Sequence, residues 1–338
     1  MTTAQVLEFS EDQKKVLLKL ADIFLPYASK KRKERFPSEG ATSRFVHYTT
    51  AENALNIIET RRLWLRSTMC MSDYREVDHG HDLLLKAFSS NGNKSRCRLD
   101  EFTSVMEACV PGIAARAIST FDDNWDQIRC NTYVASLSEH DSGQEDLYGR
   151  LSMWRAFGGA SGRVALIVSV PWFSNGVQLL KLIFSPVGYL TDSEVAQEFD
   201  SVIENIRTNA DFLNNVSNRE WIAGIVYVMF LSAVTCLKHC GFREEREWRL
   251  IHGAFPLFSD LMEHSIECIN GIPQRVFKLP LEANISPELD FTQVFDRIVI
   301  GPTQYPIAMH GAFTAKLTEA GVPDAASKVF ISDIPIRT

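Results

Sequence analysis

The chain is 338 residues long, 45% hydrophobic, 10% aromatic and 23% charged, a globular composition that excludes disorder, collagen-like repeats and coiled coil for its bulk. Lys+Arg 35 against Asp+Glu 42 leave a net charge of -7, which disfavours wrapping nucleic acid by charge alone. Seven cysteines without regular spacing form no secreted disulfide framework, and the opening MTTAQVLEFSEDQKK lacks the layout of a signal peptide, so a soluble, cytoplasmic protein is expected.

Residues 1–40 read as an N-terminal helical extension and linker. Val6 to Leu25 has helical spacing, with Pro26 as a natural stop. The basic run Lys30, Lys31, Arg32, Lys33 and Arg35 reads as a solvated stretch, with phosphate contact as the alternative. Pro37-Ser38-Glu39-Gly40 reads as a linker. Residues 41–338 are expected to form one domain. A strand at 45–48 leads to Thr49 and Glu52, spaced as a capping box before a helix with Ala51, Ala54, Leu55 and Ile58. A second strand is expected at 63–65, then helices at 73–90 and 98–118, separated by the polar loop 89–93. Strands at 132–138 and 163–170 enclose a helix at 147–157. A strand at 179–184 precedes helices at 193–214 and 218–239. Strands return at 245–252, 275–281, 297–300 and 328–332, with one helix at 309–320. Helices and strands mix without βαβ regularity, so the expected class is α+β rather than a doubly wound sheet.

The segment 221–237, WIAGIVYVMFLSAVTCL, carries no charge. As a helix it would extend roughly 25 Å, at the lower edge of a bilayer span. A single short segment with Gly224, Ser232 and Thr235 reads instead as a core helix, with no membrane role.

Several chemistries lack their signatures. The chain contains no G-x-x-x-x-G-K-[ST] loop, no G-x-G-x-x-G fingerprint and no G-x-S-x-G elbow. The glycine cluster at 158–162 has no Lys and reads as a turn. Cys236 and Cys240 lie one helical turn apart but lack two further zinc ligands of matching spacing. Asp78-His79-Gly80-His81-Asp82 has metal-ligand types, yet histidines two apart cannot share a helical face, so a polar helix surface is expected and no metal.

Three groups do carry chemistry. In Glu244-Glu245-Arg246-Glu247-Trp248-Arg249-Leu250-Ile251, read as a strand, Glu245, Glu247 and Arg249 share one face. Two such carboxylates suit work at a sugar, one steadying an oxocarbenium-like centre and the other orienting an acceptor; a solvated edge strand is the plain alternative. His47 stands near a strand end before a capped helix, where an imidazole can bond a ligand hydroxyl or serve as a structural histidine. Ser136 and Ser138 lie on one strand, and the helix that follows offers Trp154 as an aromatic plate or as core packing.

In order, these pieces resemble an uncharacterised bacterial family known as domain of unknown function 2971. The stretches that carry the resemblance are FVHYT (45–49), AENALNIIETRRLWLRS (51–67), MSDYREVDHG (71–80), TYVASLSE (132–139), LSMWRAFG (151–158), RVALIVSV (163–170), EEREWRLI (244–251), RIVIGP (297–302) and ISDIPIR (331–337). Position 72 is Ser where that family has Asn before Asp73.

More remotely, the layout is similar to the ADP-ribosyltransferase superfamily. The similarity implies a split β-sheet core with inserted helices, binding NAD as substrate without a glycine fingerprint and without a metal. It implies that His47, with Tyr48 beside it, positions the adenosine-side ribose. Ser136 and Ser138 would stand for the serine-bearing strand, and Tyr148 or Trp154 would hold the nicotinamide. Glu247 would bond the nicotinamide ribose, and Glu245 would orient the acceptor, a protein or nucleic acid. The expected activity is NAD-dependent ADP-ribosyl transfer, in the manner of a toxin or phage-defence effector with an antitoxin or regulatory partner. Water as acceptor makes the chain an NAD glycohydrolase. A non-catalytic ligand-sensing or partner-binding module is the competing expectation, and a metal-dependent nuclease built on residues 76–82 is a third.

Overall fold

A computed structural model of the chain describes residues 9–335 except 39, 72–75, 90–96, 157–161 and 254–257. Ser72 and Asp73, most of the polar loop 89–93 and the glycine cluster at 158–161 therefore lie outside the described residues, as does Glu39 of the expected linker.

Ten strands form one sheet: β1 (Thr42–Thr50), β2 (Arg62–Ser67), β3 (Tyr133–Glu139), β4 (Arg163–Pro171), β5 (Ile183–Pro186), β6 (Glu247–His252), β7 (Glu263–Ile269), β8 (Ile272–Pro280), β9 (Phe295–Ile300) and β10 (Val329–Ile331). The main path runs β10-β9-β4-β1-β3-β2-β8-β7, and β6 pairs with β3 and β5 beside it. Every pairing is antiparallel except β9 with β10. With helices packed among these strands, the class is α+β.

β1 and β4 pair along their whole length, from Thr42 opposite Pro171 to Thr50 opposite Arg163. β4 reads as an unbroken apolar run because both of its faces are covered: Val164 and Leu166 join one core cluster, Ala165 and Ile167 another. β3 is the branch point. One of its edges pairs with β6 from Tyr133 to Ser138. The other edge is shared, β1 meeting Ser138 and Glu139 while β2 meets Tyr133 and Val134. Between those two contacts, around Ser136, the ladder is open and the sheet is split.

The molecule has two main cores. The first lies against the sheet, with Phe45, Leu137, Trp248, Leu250 and Ile298 in it. The second is helical and surrounds the helix Arg219–Thr235, whose Ile222, Val226, Leu231 and Val234 are fully buried. This is the apolar segment read as a core helix, and among the described residues no helix is long and apolar enough to cross a membrane. The helix Glu76–Ser89 crosses it so closely that a Cβ at Gly80 would lie 2.7–2.8 Å from backbone atoms of Ala233 and Val234. The helix Glu11–Phe24 adds Leu20, Ile23 and Phe24 to the same core.

Several boundaries differ from the sequence-based expectation. The long helix at 98–118 is two, Arg98–Cys109 and Ile113–Asp123, parted at Gly112, whose φ of 79° only glycine adopts cheaply. The helix at 147–157 is likewise two short pieces, Gln144–Tyr148 and Leu151–Ala156. β7 carries no apolar face to announce it and was not expected. The basic run, expected as solvated, lies in the helix Pro26–Arg35 and is largely engaged. Arg32 donates to the Phe184 carbonyl at 3.3 Å, and Arg35 to the Arg44 and His140 carbonyls and to Asp141. Lys31 pairs with Glu34, and Lys33 with Asp22.

Gly80→Ala tests the helix crossing. The added methyl has no room against backbone, so a loss of about 1–3 kcal/mol is expected, measured as a lower midpoint in urea unfolding.

Candidate active site at the sheet split

β6 begins at Glu247 because Arg246 before it takes a left-handed conformation, φ 46°, and Cys240–Glu245 form a 3-10 turn. Glu245 is thus off the strand, and the expectation that Glu245 and Glu247 share a strand face does not hold. Lys238 brings them together instead, its Nζ lying 2.7 Å from Glu245 and 3.4 Å from Glu247.

Along β6, Trp248 and Leu250 enter the sheet core, which leaves Glu247 and Arg249 on the other face. Ser138 pairs with Glu247 and Ser136 with Arg249, so the two serines share that face. Both charged side chains are buried, 5% and 1% exposed. Arg249 holds Glu247 through two nitrogens, at 2.8 and 3.1 Å, and donates a third hydrogen bond to the Thr235 carbonyl at 2.7 Å. Ser136 Oγ donates to Glu247 Oε1 at 2.5 Å. The Glu247 backbone is pinned as well, its N–H donating to the Tyr189 hydroxyl and its carbonyl accepting from Val187. Burial by itself would raise the Glu247 pKa; Arg249 above all, then Lys238 and Ser136, outweigh it and hold the carboxyl at about 2.

His47 reaches the same place from β1. Its Nδ1 lies 3.0 Å from the Ser136 carbonyl oxygen. A carbonyl only accepts, so Nδ1 carries the hydrogen and Nε2 of the neutral ring is left as an acceptor. Burial pushes the imidazole below its ordinary pKa, against the pull of that carbonyl bond. The imidazole thus meets a carbonyl on the stretch of β3 that neither β1 nor β2 covers. Strand alternation starts His47 on the face of Phe45 and Leu137, and Ser136 and Glu247 on the face of Val46. Ser136 is the link between the two faces.

Two aromatic residues expected near the ligand are core residues. Tyr48 is 4% exposed; its hydroxyl accepts the Arg150 N–H at 2.9 Å, and burial pushes its pKa up to about 12. Trp154 is fully buried, edge-on to Tyr48 at 5.0 Å, and donates to the Tyr148 carbonyl at 2.7 Å. Its ring also lies where a Cβ on Gly149 or Gly301 would stand, so it has no free face for a flat ligand. Trp154 and Tyr48 occupy these places because strand alternation on β1 and the short helix Leu151–Ala156 aim them at each other. Tyr148 is half-exposed at the end of its helix, where its carbonyl accepts from Trp154 and from the Ser332 hydroxyl. Ser138 is buried between Val46 and Glu247 in the register.

Lys238, Tyr189 and Arg150 were not singled out in the sequence. Arg150 donates to the carbonyls of Glu139, Glu244 and Glu245, and so fastens the 3-10 turn beside the site. No local motif marks these residues: Tyr189 meets Glu247 58 residues on and Arg150 meets Glu244 94 residues on, while Lys238 reaches Glu245 and Glu247, seven and nine residues on, across the 3-10 turn. The cluster at 78–82 binds no neighbouring ligand set: Asp78 pairs with Arg129 at 2.8 Å and His81 stacks on Trp125. Among the described residues no group of three His, Cys, Asp or Glu side chains is placed to hold a metal ion.

Residues 153–250, from the helix of Trp154 to Leu250 within β6, match the family described as "Protein of unknown function (DUF2971)". Over that stretch the chain is similar to the DUF2971 family. No curated protein and no solved structure matches it. The DUF2971 match contains Lys238, Glu245, Glu247 and Arg249, whereas His47 and Ser136 lie outside it.

Two measurements test the ion pair. Glu247→Gln strands the buried guanidinium and is expected to cost about 3–5 kcal/mol in urea unfolding, with Glu247→Gln/Arg249→Met recovering much of the loss. The native carboxyl binds its proton less readily than the unfolded one. Its stability contribution is therefore complete above about pH 4.5 and lost as pH falls toward 2. The Glu247→Gln profile is expected to be flatter than wild type across that window.

Proposed function

We propose that this chain cleaves the nicotinamide–ribose bond of NAD and transfers the ADP-ribosyl group to an acceptor. The supporting observation is the hydrogen-bonded run from His47 through Ser136 to Glu247, which joins three separate strands at the split of the sheet. These are the His, Ser and Glu positions that the ADP-ribosyltransferase resemblance assigns to NAD.

In this reading the C–N glycosidic bond breaks with its electron pair leaving on the nicotinamide nitrogen, and positive charge develops at the anomeric carbon. A Glu247 carboxyl held near pKa 2 stays ionised at neutral pH, which suits stabilising that charge rather than moving a proton. The acceptor oxygen or nitrogen then bonds to the anomeric carbon and gives up its proton to solvent water. Glu245 stands beside this path on its turn, tied to Glu247 through Lys238. Release of the 3.4 Å Lys238 contact would open one acceptor position on Oε2, still held by Arg249 at 3.1 Å, for a ribose hydroxyl. Transfer to water is NAD hydrolysis at the same residues.

A specific observation favours a second reading, a ligand-binding module without turnover: Glu247 is 5% exposed and both its oxygens are engaged. Nicotinamide release from NAD by the full chain, beside NAD binding by calorimetry, separates the two. Transfer predicts release that falls about 100-fold or more in Ser136→Ala and His47→Ala, with folding confirmed by circular dichroism. Binding without release supports the module, and neither binding nor release removes both readings.

A further inference from the structure

We infer that a cavity between the two N-terminal helices binds a small phosphorylated ligand with a flat apolar body, of mononucleotide size. It lies between Glu11–Phe24 and Pro26–Arg35, with Trp172 beyond the end of β4 as part of its wall, and has a volume of about 270 Å3. Lys15, Lys19, Arg32 and Lys33 line it, and Asp22 is the acid among them. Asp22 is held by Lys33 at 2.7 Å and by Ser29. Lys15 has only the exposed Asp12 at 3.7 Å, a pair that solvent screens, and Lys19 makes no ion pair among the described residues. Positive charge is therefore in excess here, in a chain whose net charge is -7.

Arg32 gives the cavity a fixed donor. It is half-buried, and one nitrogen is committed to the Phe184 carbonyl at 3.3 Å. A guanidinium carries five N–H donors in a planar fork that matches phosphate oxygens. The rest of the wall includes Leu18, Leu25 and Trp172, so the cavity is cationic on some walls and apolar on others. That combination suits an anion joined to a flat ring. A nucleic-acid strand needs a groove that tracks its backbone, whereas this cavity admits about one nucleotide unit. The site is distinct from the sheet split; Arg32 reaches β5, where Phe184 pairs with Leu250 of β6.

Calorimetry on the full chain with adenosine monophosphate tests this, with inorganic phosphate, adenosine and a twelve-nucleotide single-stranded RNA as separate arms. One site is expected for the mononucleotide, tighter than for phosphate or adenosine. Affinity is expected to fall about tenfold or more in Lys19→Glu and Arg32→Gln and to persist in His47→Ala, which places the ligand away from the split. Lys19 is exposed, so its variant keeps the fold and the result stands if Arg32→Gln unfolds. Absence of mononucleotide binding, binding unaltered by Lys19→Glu, binding lost in His47→Ala, or RNA binding without mononucleotide binding each overturns the inference.

Discussion

The buried guanidinium of Arg249 ties the two halves of this protein together. On one side it holds Glu247 with two hydrogen bonds, and on the other it donates to the Thr235 carbonyl, the last residue of the helix Arg219–Thr235. The final carbonyls of a helix lack intrahelical partners and carry its negative end, so a cation there is doubly favoured. Removing both charges from water costs several kcal/mol per ion. The geometry offsets that cost, because Ser136 and Lys238 meet the remaining carboxylate positions. The strand β6, the helix end and the branch strand β3 all converge on this pair.

That same arrangement limits the chemistry available at Glu247. A carboxylate with depressed pKa and full hydrogen bonding is a fixed negative charge, unsuited to taking or giving a proton near neutral pH. It can stabilise a developing cation only where a ligand reaches it, and the long Lys238 contact is the weakest of those it makes. His47 differs in kind. It is neutral, keeps Nε2 as an acceptor, and spends Nδ1 on the open stretch of β3. The split in the sheet thus brings together one permanent charge and one neutral hydrogen-bonding ring, with a serine that addresses both.

Much of this was legible in the sequence. The alternation of Glu247 and Arg249 with Trp248 and Leu250 announced a strand with one charged and one apolar face, and the structure keeps that division. The uncharged run at 221–237 announced a core helix, since no face of it tolerates water. The errors have local physical causes. Arg246 in a left-handed conformation starts the strand two residues later than its pattern suggests, at Glu247, and lifts Glu245 away. Trp154 and Tyr48 have the composition of a ligand plate, but side-chain composition does not tell a packed ring from an open one. The basic run at 30–35 reads as solvated because its partners, the carbonyls of Arg44, His140 and Phe184, come from remote strands.

What the sequence determined alone is the α+β class, the single core helix, the candidate positions at His47, Ser136 and Glu247, and the absence of the common phosphate-binding loops. These follow from periodicity and residue type, which are local properties of the chain. The tertiary structure decided which of those residues meet. His47 and Ser136 are 89 residues apart, and Ser136 and Glu247 111 apart, so their contact depends on strand order and register. The same holds for burial. Glu247 and Trp154 are enclosed because strands and helices from distant parts of the chain close over them, and no stretch of sequence around either residue contains that fact.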